Sequence, residues 1–408
     1  MKSYLLIILI SLLPVVASAY DLAIENNEGV TIYYNFINNN MELEVTSPKL
    51  EQAYNYYYTE EVIIPSSVTY KDKCYPVTRI GVGAFYACIN LTSVTIPNSV
   101  KSIEGSAFSG TGLTSLTIPE SVTNIAGYSI YGDNLASIIV EEGNTRFDSR
   151  DDCNAIIETK TNSLIVGCMN TNIPNNVNKI SDGAFCGCSG LKKISIPNSV
   201  TTIGVGSFLA CKNLVYISIP ESVTDIGSYA FKNCSSLPSI TIPNSITSIR
   251  KQAFGDCSSL TTAIFGNKVT CIEDGAFCNC FSLTSITIPQ SVTSIGKRVF
   301  EECWRLTVVY CFADDVPETI SDAFYNSSFV SATLHVPVNS VDLYKATSPW
   351  RYFGDIVPIT EDDITPINSI SNGNLRNSTS VYYDLNGRPT QHPAKGVYIK
   401  NNRKIAIK

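Results

Sequence analysis

The chain has 408 residues, of which 44% are hydrophobic and 16% charged, so it is too apolar for general disorder and long enough for one large or two to three ordinary domains. Its 29 basic and 36 acidic residues give a net charge of −7, which argues against a nucleic-acid or anionic-membrane surface. It has two histidines, His335 and His392, which excludes a multi-histidine metal centre and disfavours histidine-dependent catalysis.

Residues 1–19 have the features of a secretory signal peptide. Lys2 precedes an apolar run over residues 5–16, and Ala17-Ser18-Ala19 supplies the small residues before a cleavage site. We expect cleavage before Tyr20, which leaves 389 residues with 28 basic against 36 acidic side chains and a net charge of −8. An N-terminal membrane anchor is the alternative, but about 12 apolar residues are too few for a spanning helix. We therefore expect an exported protein without a transmembrane span.

Residues 20–61 are predicted to form an N-terminal β cap. Residues 30–34 and 41–45 alternate apolar and polar side chains on either side of an Asn-rich turn, which is typical of a hairpin. Because a solenoid must cover its first coil, we expect this hairpin to close the repeat that follows.

A repeat with a period of 23 residues dominates residues 62–311. Its marker positions are Pro174, Pro197, Pro220, Pro243, Gly266 and Pro289. In a typical unit Leu283, Ile286 and Ile288 alternate with polar residues as in a short strand, and proline then ends the strand because it cannot donate to a ladder. Each unit is predicted to be one coil of a mainly β repeat solenoid, with a parallel sheet on one face.

Stacked coils superpose equivalent residues, so the phenylalanines of one phase are predicted to form a continuous interior stack. They are Phe185, Phe208, Phe231, Phe254, Phe277 and Phe300. The glycine after Ile203, Ile226 and Ile295 is replaced by Arg250 and Glu273 in other units. We interpret that glycine as a preference, because the replacements indicate that its position does not demand a positive φ.

Residues 141–173 interrupt the period. Residues 154–157 and 163–166 predict a hairpin that projects from the solenoid and offers a place to bind a partner. The acidic residues nearby raise the alternative of a calcium site, but their spacing matches no EF-hand loop and favours a solvated loop. These residues are Glu141, Glu142, Asp148, Asp151 and Asp152.

Three segments follow the repeat. Residues 312–360 are predicted to cap the last coil, with a short helix starting at residues 339–342 and with Trp350, Tyr352 and Phe353 as apolar bulk. Residues 361–380 have the composition of a flexible linker. In residues 381–408, strands and tight turns alternate, which predicts a small β module.

Fourteen cysteines in an exported chain suggest disulfides, but six of them occupy one phase of the repeat: Cys188, Cys211, Cys234, Cys257, Cys280 and Cys303. Neighbouring coils lie ~4.7–4.9 Å apart, whereas a disulfide needs Cβ atoms about 3.5–4.5 Å apart, so buried free thiols are favoured. The C-x-C pairs starting at Cys186 and Cys278 lack histidine partners for zinc. Cys74 and Cys311 lie outside this phase and are the better candidates for bridging or reactivity.

The repeat resembles the BspA-like leucine-rich repeats that are common in surface proteins of Bacteroidetes, with the pattern I-P-x-S-V-T-x-I-G-x-x-A-F-x-x-C-x-x-L. The match covers about 62–311 and is best in the copies from Ile196 and Ile219. Thr111, Ile130 and Gly266 depart from the pattern and affect single coils. The resemblance implies a non-enzymatic surface protein that adheres to host matrix proteins or to other microbes.

The tail resembles the C-terminal sorting domain of type IX secretion. Residues 384–388 read D-L-N-G-R and residues 396–398 read G-V-Y, as in the motifs of that domain. The matched region is shorter than full versions of the domain. The resemblance implies export to the cell surface or beyond.

The outward strand positions are mostly Ser and Thr, and the residues that break this pattern are the candidate ligand contacts of a concave face: Lys193, Tyr216, Ile264, Val308 and Tyr310. We expect a monomer that binds a protein ligand, with no catalytic residue, metal or cofactor. A passive surface spacer is the first alternative, and a carbohydrate-binding module is the second, although no paired-carboxylate pocket is visible.

Overall fold

The computed structural model describes residues 20–48, 57–132 and 134–360, together with the backbone of four short strands in the tail. The described chain is a mainly β solenoid of about 12 turns, with coils of about 23 residues, parallel sheets and little helix. The predicted fold class is therefore confirmed. Within these residues the α-helical element is α1 (Val341–Ala346), and no helix there is long and apolar enough to cross a membrane.

The N-terminal cap consists of the antiparallel strands β1 (Leu22–Glu25), β2 (Thr31–Ile37) and β3 (Glu42–Thr46). Strands β2 and β3 form the predicted hairpin. Tyr34 and Val45 are buried in the same apolar cluster as Phe85 of the first coil. The hairpin therefore covers the N-terminal end of the interior, as predicted.

The remaining strands up to residue 358 belong to the coils and to the insertion. In chain order they are β4 (Glu60–Ile63), β5 (Ser67–Tyr70), β6 (Lys73–Ile80), β7 (Leu91–Thr95), β8 (Ser102–Ile103), β9 (Ser115–Ile118), β10 (Asn124–Ile125), β11 (Ser137–Val140), β12 (Phe147–Asp148), β13 (Ala155–Glu158), β14 (Ser163–Gly167), β15 (Lys179–Ile180), β16 (Lys193–Ser195), β17 (Thr202–Ile203), β18 (Tyr216–Ser218), β19 (Asp225–Ile226), β20 (Ser239–Thr241), β21 (Ser248–Ile249), β22 (Thr262–Ile264), β23 (Cys271–Ile272), β24 (Ser285–Ile288), β25 (Ser294–Ile295), β26 (Val308–Cys311), β27 (Glu318–Thr319), β28 (Thr333–Val336) and β29 (Asp355–Pro358). Short 3-10 turns lie at Arg150–Asp152, Ser328–Ser331, Val338–Ser340 and Trp350–Tyr352.

Two rows of strands run along the solenoid. The first row consists of the longer strands, among them β16, β18, β20, β22, β24, β26, β28 and β29. The last six of these make one continuous parallel sheet. We call the outward side chains of these longer strands the strand face. The second row consists mainly of two-residue strands such as β15, β17 and β19, which also pair in parallel. Equivalent residues of successive coils are therefore aligned.

The predicted phenylalanine stack is confirmed. Its six rings are buried, and neighbouring rings lie nearly parallel with centroids 4.9–6.0 Å apart. Phe324 stacks on Phe300 and so extends the stack beyond residue 311, where the predicted repeat ends. Phe85 and Phe108 form a separate stacked pair near the N-terminal cap. Each coil therefore buries the ring of the next one.

The predicted row of free, buried thiols is also present. From Cys211 onward, each Sγ of this row donates a hydrogen bond to the carbonyl of the phenylalanine in the preceding coil. The first of these bonds joins Cys211 to Phe185 at 3.1 Å, and the last joins Cys303 to Phe277 at 3.4 Å. Burial raises the pKa of Cys257 to about 12. These thiols are therefore protonated. Because only the thiolate is reactive, they act as structural groups that connect coils.

The insertion contains the predicted hairpin, but this hairpin does not project. Strands β13 and β14 pair antiparallel. Ile156 and Val166 are buried against the N-terminal apolar cluster, whereas Ile157 and Leu164 are buried against the C-terminal cluster. The hairpin is thus a layer between two blocks of coils. The prediction of a projection is wrong, because consecutive apolar residues in both strands require both faces to be covered.

The segment after each second-row strand is a series of turns, which we call the turn face. Its segments are residues 81–90, 104–112, 126–132, 181–190, 204–213, 227–236, 250–259, 273–282, 296–305 and 320–328. Backbone amides here donate to the next coil, for example Phe208 to Ala230 at 2.8 Å. Most segments hold two residues at positive φ, such as Gly206 and Ala210. These left-handed positions were not predicted from the sequence.

The glycine that opens many of these segments has no positive φ, as predicted, but it is more than a preference. A Cβ built on Gly227 would lie 2.6 Å from the backbone nitrogen of Val205 in the preceding coil. The close approach of the two backbones at Gly227 therefore leaves no room for a side chain there, whereas Glu273 occupies the equivalent position two coils later. Arg250 replaces this glycine in the coil of β21. The second row is interrupted between β19 and β21, so the contact between these two coils is looser.

The stacking continues into residues 312–358, where β28 and β29 extend the parallel sheet. Helix α1 confirms the short helix predicted here. Trp350 and Phe353 are buried as predicted, but the prediction for Tyr352 is wrong, since its side chain is exposed and its hydroxyl accepts a hydrogen bond from Arg351.

In the tail, four strands form an antiparallel sheet: β30 (Tyr382–Tyr383), β31 (Pro389–Thr390), β32 (Gly396–Lys400) and β33 (Arg403–Ile407). The predicted strands are confirmed by these elements. The predicted linker at 361–380 and the predicted tight turns of the tail lie outside the described residues.

Candidate binding site on the strand face

The structure places all five predicted contacts on the strand face, in two groups. Lys193 and Tyr216 are register partners in β16 and β18, and both side chains are exposed, Tyr216 to 53%. Ile264, Val308 and Tyr310 lie in the continuous sheet farther along the chain and are half-buried. The two groups belong to different sheets of the first row.

The second group is larger than predicted. Tyr310 of β26 is in register with His335 of β28, which is in turn in register with Val357 of β29. The rings of Tyr310 and His335 lie 4.7 Å apart at a tilt of 39°. Together with Val308, these residues form an aromatic and aliphatic patch on an otherwise hydroxyl-rich face. His335 and Val357 were not predicted as contacts, because they lie in further coils that the repeat pattern of residues 62–311 did not reveal.

Three exposed carboxylates lie in strand β29 or in the loop that follows β26. Asp314 and Asp315 are exposed in the loop that follows β26, and Asp355 is exposed at the start of β29. The amide of Gln290 donates to the Asp314 carboxylate at 2.8 Å. An aromatic and aliphatic patch on strands that carry exposed carboxylates farther along suits a ligand segment that combines an aromatic or aliphatic anchor with a basic side chain.

Many hydroxyls beside the strands serve the fold instead of a ligand. The hydroxyl of Thr284 donates to the carbonyl of Thr261, and Thr307 donates in the same way to Thr284, at 3.4 and 3.2 Å. These bonds join successive coils along the edge of the strand face. The side chains that differ from the Ser/Thr pattern are therefore the better candidates for ligand contacts.

The two cysteines that were predicted to be candidates for bridging or reactivity, Cys74 and Cys311, differ in exposure. Cys74 was predicted to be such a candidate, and its side chain is exposed. The same prediction is wrong for Cys311, because this residue is fully buried and its Sγ lies 3.1 Å from the Tyr344 hydroxyl. Burial raises the pKa of Cys311 to about 11, so its thiol is protonated.

Among the described residues no group of three or more metal-ligating side chains could hold a metal ion. Asp148 of the acidic loop instead binds Arg150 through paired contacts of 2.7 and 2.5 Å. A depression of about 380 Å³ beside the second strand row is lined by Lys251, Glu273 and Glu318 among others. It is open and adjoins neither group of the strand face.

A solenoid of short parallel strands with an apolar interior is the architecture of a β-rich repeat protein, the class to which leucine-rich repeats belong. Residues 51–151, 156–280 and 224–345 match the family model for the BspA type leucine rich repeat region, in six copies, and the chain belongs to this family. The family is one of leucine-rich repeat surface proteins.

Several solved structures are similar to the chain. A leucine-rich repeat protein from Eubacterium ventriosum is 21% identical, with 76% of this chain and 96% of that chain covered and a TM-score of 0.52. A leucine rich cell surface protein from Faecalibacterium prausnitzii is 22% identical, with coverage of 71% and 95% and a TM-score of 0.43. A leucine-rich repeat protein from Bacteroides ovatus is 24% identical, with coverage of 84% and 100% and a TM-score of 0.41. No curated protein matches the chain.

Proposed function

We propose that this chain is a non-enzymatic, exported cell-surface protein that binds a protein ligand through its strand face. The observation that carries the proposal is the contiguous patch of Val308, Tyr310 and His335 on an extended sheet. Aromatic side chains with exposed edges supply most of the energy of protein interfaces. Adhesion to host matrix proteins or to other microbial surface proteins is the role that this geometry and the family support.

The N-terminal cap supports removal of the first 19 residues. The amide of Asp21 donates to Tyr34 at 2.9 Å, and the ring of Tyr20 packs on Tyr33 with centroids 4.7 Å apart. A chain that starts at Tyr20 therefore keeps the contacts of its first strand. The antiparallel tail β30–β33 supports a role as a sorting module of the kind found in Bacteroidetes. Mass spectrometry of the surface-exposed protein tests both ends, since an intact leader or an unexported protein contradicts this part of the proposal.

A binding assay tests the strand face directly. The chain from Tyr20 to Lys408 is applied to an array of matrix and microbial surface proteins, and binding is compared with Tyr216→Ala and Tyr310→Ala. The matched control is Tyr325→Ala, which removes a tyrosine that is as exposed as Tyr216 but lies on the turn face. We expect at least one strand-face variant to lose about tenfold or more in affinity while the control keeps it. Unchanged binding by both strand-face variants would contradict the proposed contacts.

A passive spacer is the second candidate, and the regular phenylalanine stack favours it, because one coil can be removed without leaving an unmatched interior. Deletion of residues 231–253, one complete repeat, separates the two functions. A spacer keeps its role after the deletion. A binding face whose ligand contacts both groups loses affinity, because the deletion shortens the distance between Tyr216 and Tyr310 by one coil.

A further inference from the structure

The insertion interrupts the packing that joins the other coils. On its N-terminal side β10 and β11 are the last strands of their sheets, and the two rows continue in other sheets from β14 and β16. The phenylalanine stack is interrupted as well, because the ring of Phe185 lies on Gly167 of the insertion, where a Cβ would be 2.1 Å from that ring. The insertion is therefore a boundary between an N-terminal block, residues 20–140, and a C-terminal block, residues 173–358, each with its own apolar cluster.

Two tyrosines of the N-terminal block cross this boundary on the turn face. Tyr128 and Tyr131 lie in segment 126–132, and the hydroxyl of Tyr128 donates to the carbonyl of Val205 at 3.1 Å. Val205 belongs to the C-terminal block, and its carbonyl also accepts the amide of Gly183 at 2.9 Å. The side chain of Tyr128 therefore reaches from one block to a hydrogen bond that joins two coils of the other.

Three glycines of the C-terminal block receive the two tyrosine rings. A Cβ on Gly183 would lie 2.5 Å from the ring of Tyr128, and one on Gly206 would lie 2.9 Å from the Tyr128 hydroxyl oxygen. A Cβ on Gly187 would lie 2.6 Å from the ring of Tyr131. The rings therefore rest directly on the backbone of the other block.

The backbone conformation alone does not require glycine at these positions. Ser106 occupies the position of Gly183 in an earlier coil, and Ala210 occupies that of Gly187 in the next coil, both at positive φ. Glycine at 183 and 187 is explained by the tyrosine rings, since a side chain there would displace them.

The two rings also adjoin a buried thiol. Cys186 lies between Gly183 and Gly187 in the chain, and burial raises its pKa to about 11. Burial, followed by the neighbouring Cys186, raises the pKa of Tyr128, which places the thiol beside that ring. Cys278 occupies the equivalent position in a later coil, where it is also buried and its pKa is also raised to about 11. The two thiols are thus matched, except that Cys186 lies at the boundary between the blocks.

We propose that the insertion is a joint between the two blocks and that Tyr128 and Tyr131 form a latch that holds this joint closed. In the closed state the rings lie on the glycines and the two blocks move as one body. In the open state the blocks separate on the turn face, the rings leave the glycines and Cys186 is uncovered. The amide of Met169 in the insertion, which donates to Leu135 of the N-terminal block at 3.1 Å, loses its partner in the same motion.

Alkylation of the native chain from Tyr20 to Lys408 by iodoacetamide, followed by peptide mass spectrometry, tests the latch. The rate at Cys186 is divided by the rate at Cys278 in the same sample, so that global unfolding affects both alike. Tyr128→Phe keeps the covering ring and removes the bond to the other block, and we expect the ratio to rise roughly three- to tenfold, the factor equivalent to one hydrogen bond. Tyr229→Phe is the matched control, because Tyr229 occupies the position of Tyr128 in a coil inside the C-terminal block. An unchanged ratio in Tyr128→Phe, or the same rise in the control, overturns the latch.

Hydrogen exchange in the peptide that contains Met169 distinguishes an opening joint from movement of the rings alone. Gly183→Ala places a Cβ where the latch ring lies, and we expect the Met169 amide to exchange about tenfold faster while the amide of Phe208, bonded within the C-terminal block, keeps its rate. Gly83→Ala is the matched control, since Gly83 has a similar positive φ at the equivalent position and its Cβ would meet the nearest atom at 3.7 Å. Equal exchange of Met169 in the two variants overturns the joint, because the rings could then move while the blocks stay together.

Discussion

Replacement of Phe254 by Ala tests the central packing of the solenoid. Phe254 is fully buried, and its ring stacks on Phe231 at 5.3 Å and on Phe277 at 5.4 Å. Its amide donates to Ala276 at 2.9 Å, and its carbonyl accepts from the thiol of Cys280 at 3.3 Å. Because the neighbouring coils are held by these bonds, they cannot collapse into the space that the ring leaves.

The magnitude follows from these contacts. Burial of the ring contributes about 1.5–3 kcal/mol. Each of the two ring contacts adds about 0.5–1.5 kcal/mol. We therefore expect Phe254→Ala to lower the free energy of unfolding by about 3–5 kcal/mol, the usual cost of such a cavity. Phe254→Leu, which fills most of the volume, should cost clearly less.

Urea denaturation followed by circular dichroism measures this loss, and hydrogen exchange shows whether it is confined to the neighbouring coils, since repeat proteins can unfold in parts. Phe281→Ala is the matched control. Phe281 is half-buried outside the stack and packs on the exposed Trp304. If Phe254→Ala costs no more than Phe281→Ala, the stack does not stabilise the solenoid in the way described.

Three further predictions concern thiols and glycines. Burial raises the pKa of Cys234 well above its ordinary value, so the folded chain keeps a proton that the unfolded chain releases above about pH 8.5. The free energy of unfolding should therefore fall as the pH rises from about 9, by up to ~1.4 kcal/mol per pH unit for each such thiol. The fall should be less steep in Cys234→Ser. Iodoacetamide should alkylate Cys74 in the native protein and Cys311 only after denaturation, as peptide mass spectrometry can show; rapid native labelling of Cys311 would contradict its burial. Gly227→Ala should cost about 1–3 kcal/mol in urea denaturation because its Cβ would lie 2.6 Å from a backbone nitrogen, whereas Gly127→Ala should be neutral or slightly stabilising.

The periodic positions could be predicted from the sequence because stacking repeats one environment. Once Leu283, Ile286 and Ile288 are recognised as a strand, every equivalent residue has the same neighbours, and the phenylalanine stack follows from in-register pairing. The same reasoning placed all five candidate contacts on the strand face, since outward positions alternate with inward ones.

Departures from the period could not be predicted in the same way. The insertion hairpin was recognised, but its place between two blocks depends on which surfaces remain uncovered after the coils form. Its sequence did contain a signal, because Ala155-Ile156-Ile157 leaves no polar face for solvent. Cys311 was misjudged because its partner, Tyr344, lies in helix α1, 33 residues farther along the chain.

The left-handed positions of the turn face show a third limit. Gly83, Gly183 and Gly206 share one phase and could have indicated a positive φ, but Ser106 and Tyr128 adopt the same conformation in other coils. A non-glycine residue is tolerated there because bonds between coils hold the backbone on both sides, and such stabilisation is invisible in a single repeat.

Repetition also explains where function can reside in this molecule. A side chain that recurs in every coil is used for stacking, as in the thiol row, and cannot distinguish one part of the surface from another. Specific recognition therefore depends on residues that break the repeat. Tyr310 and His335 do so on the strand face.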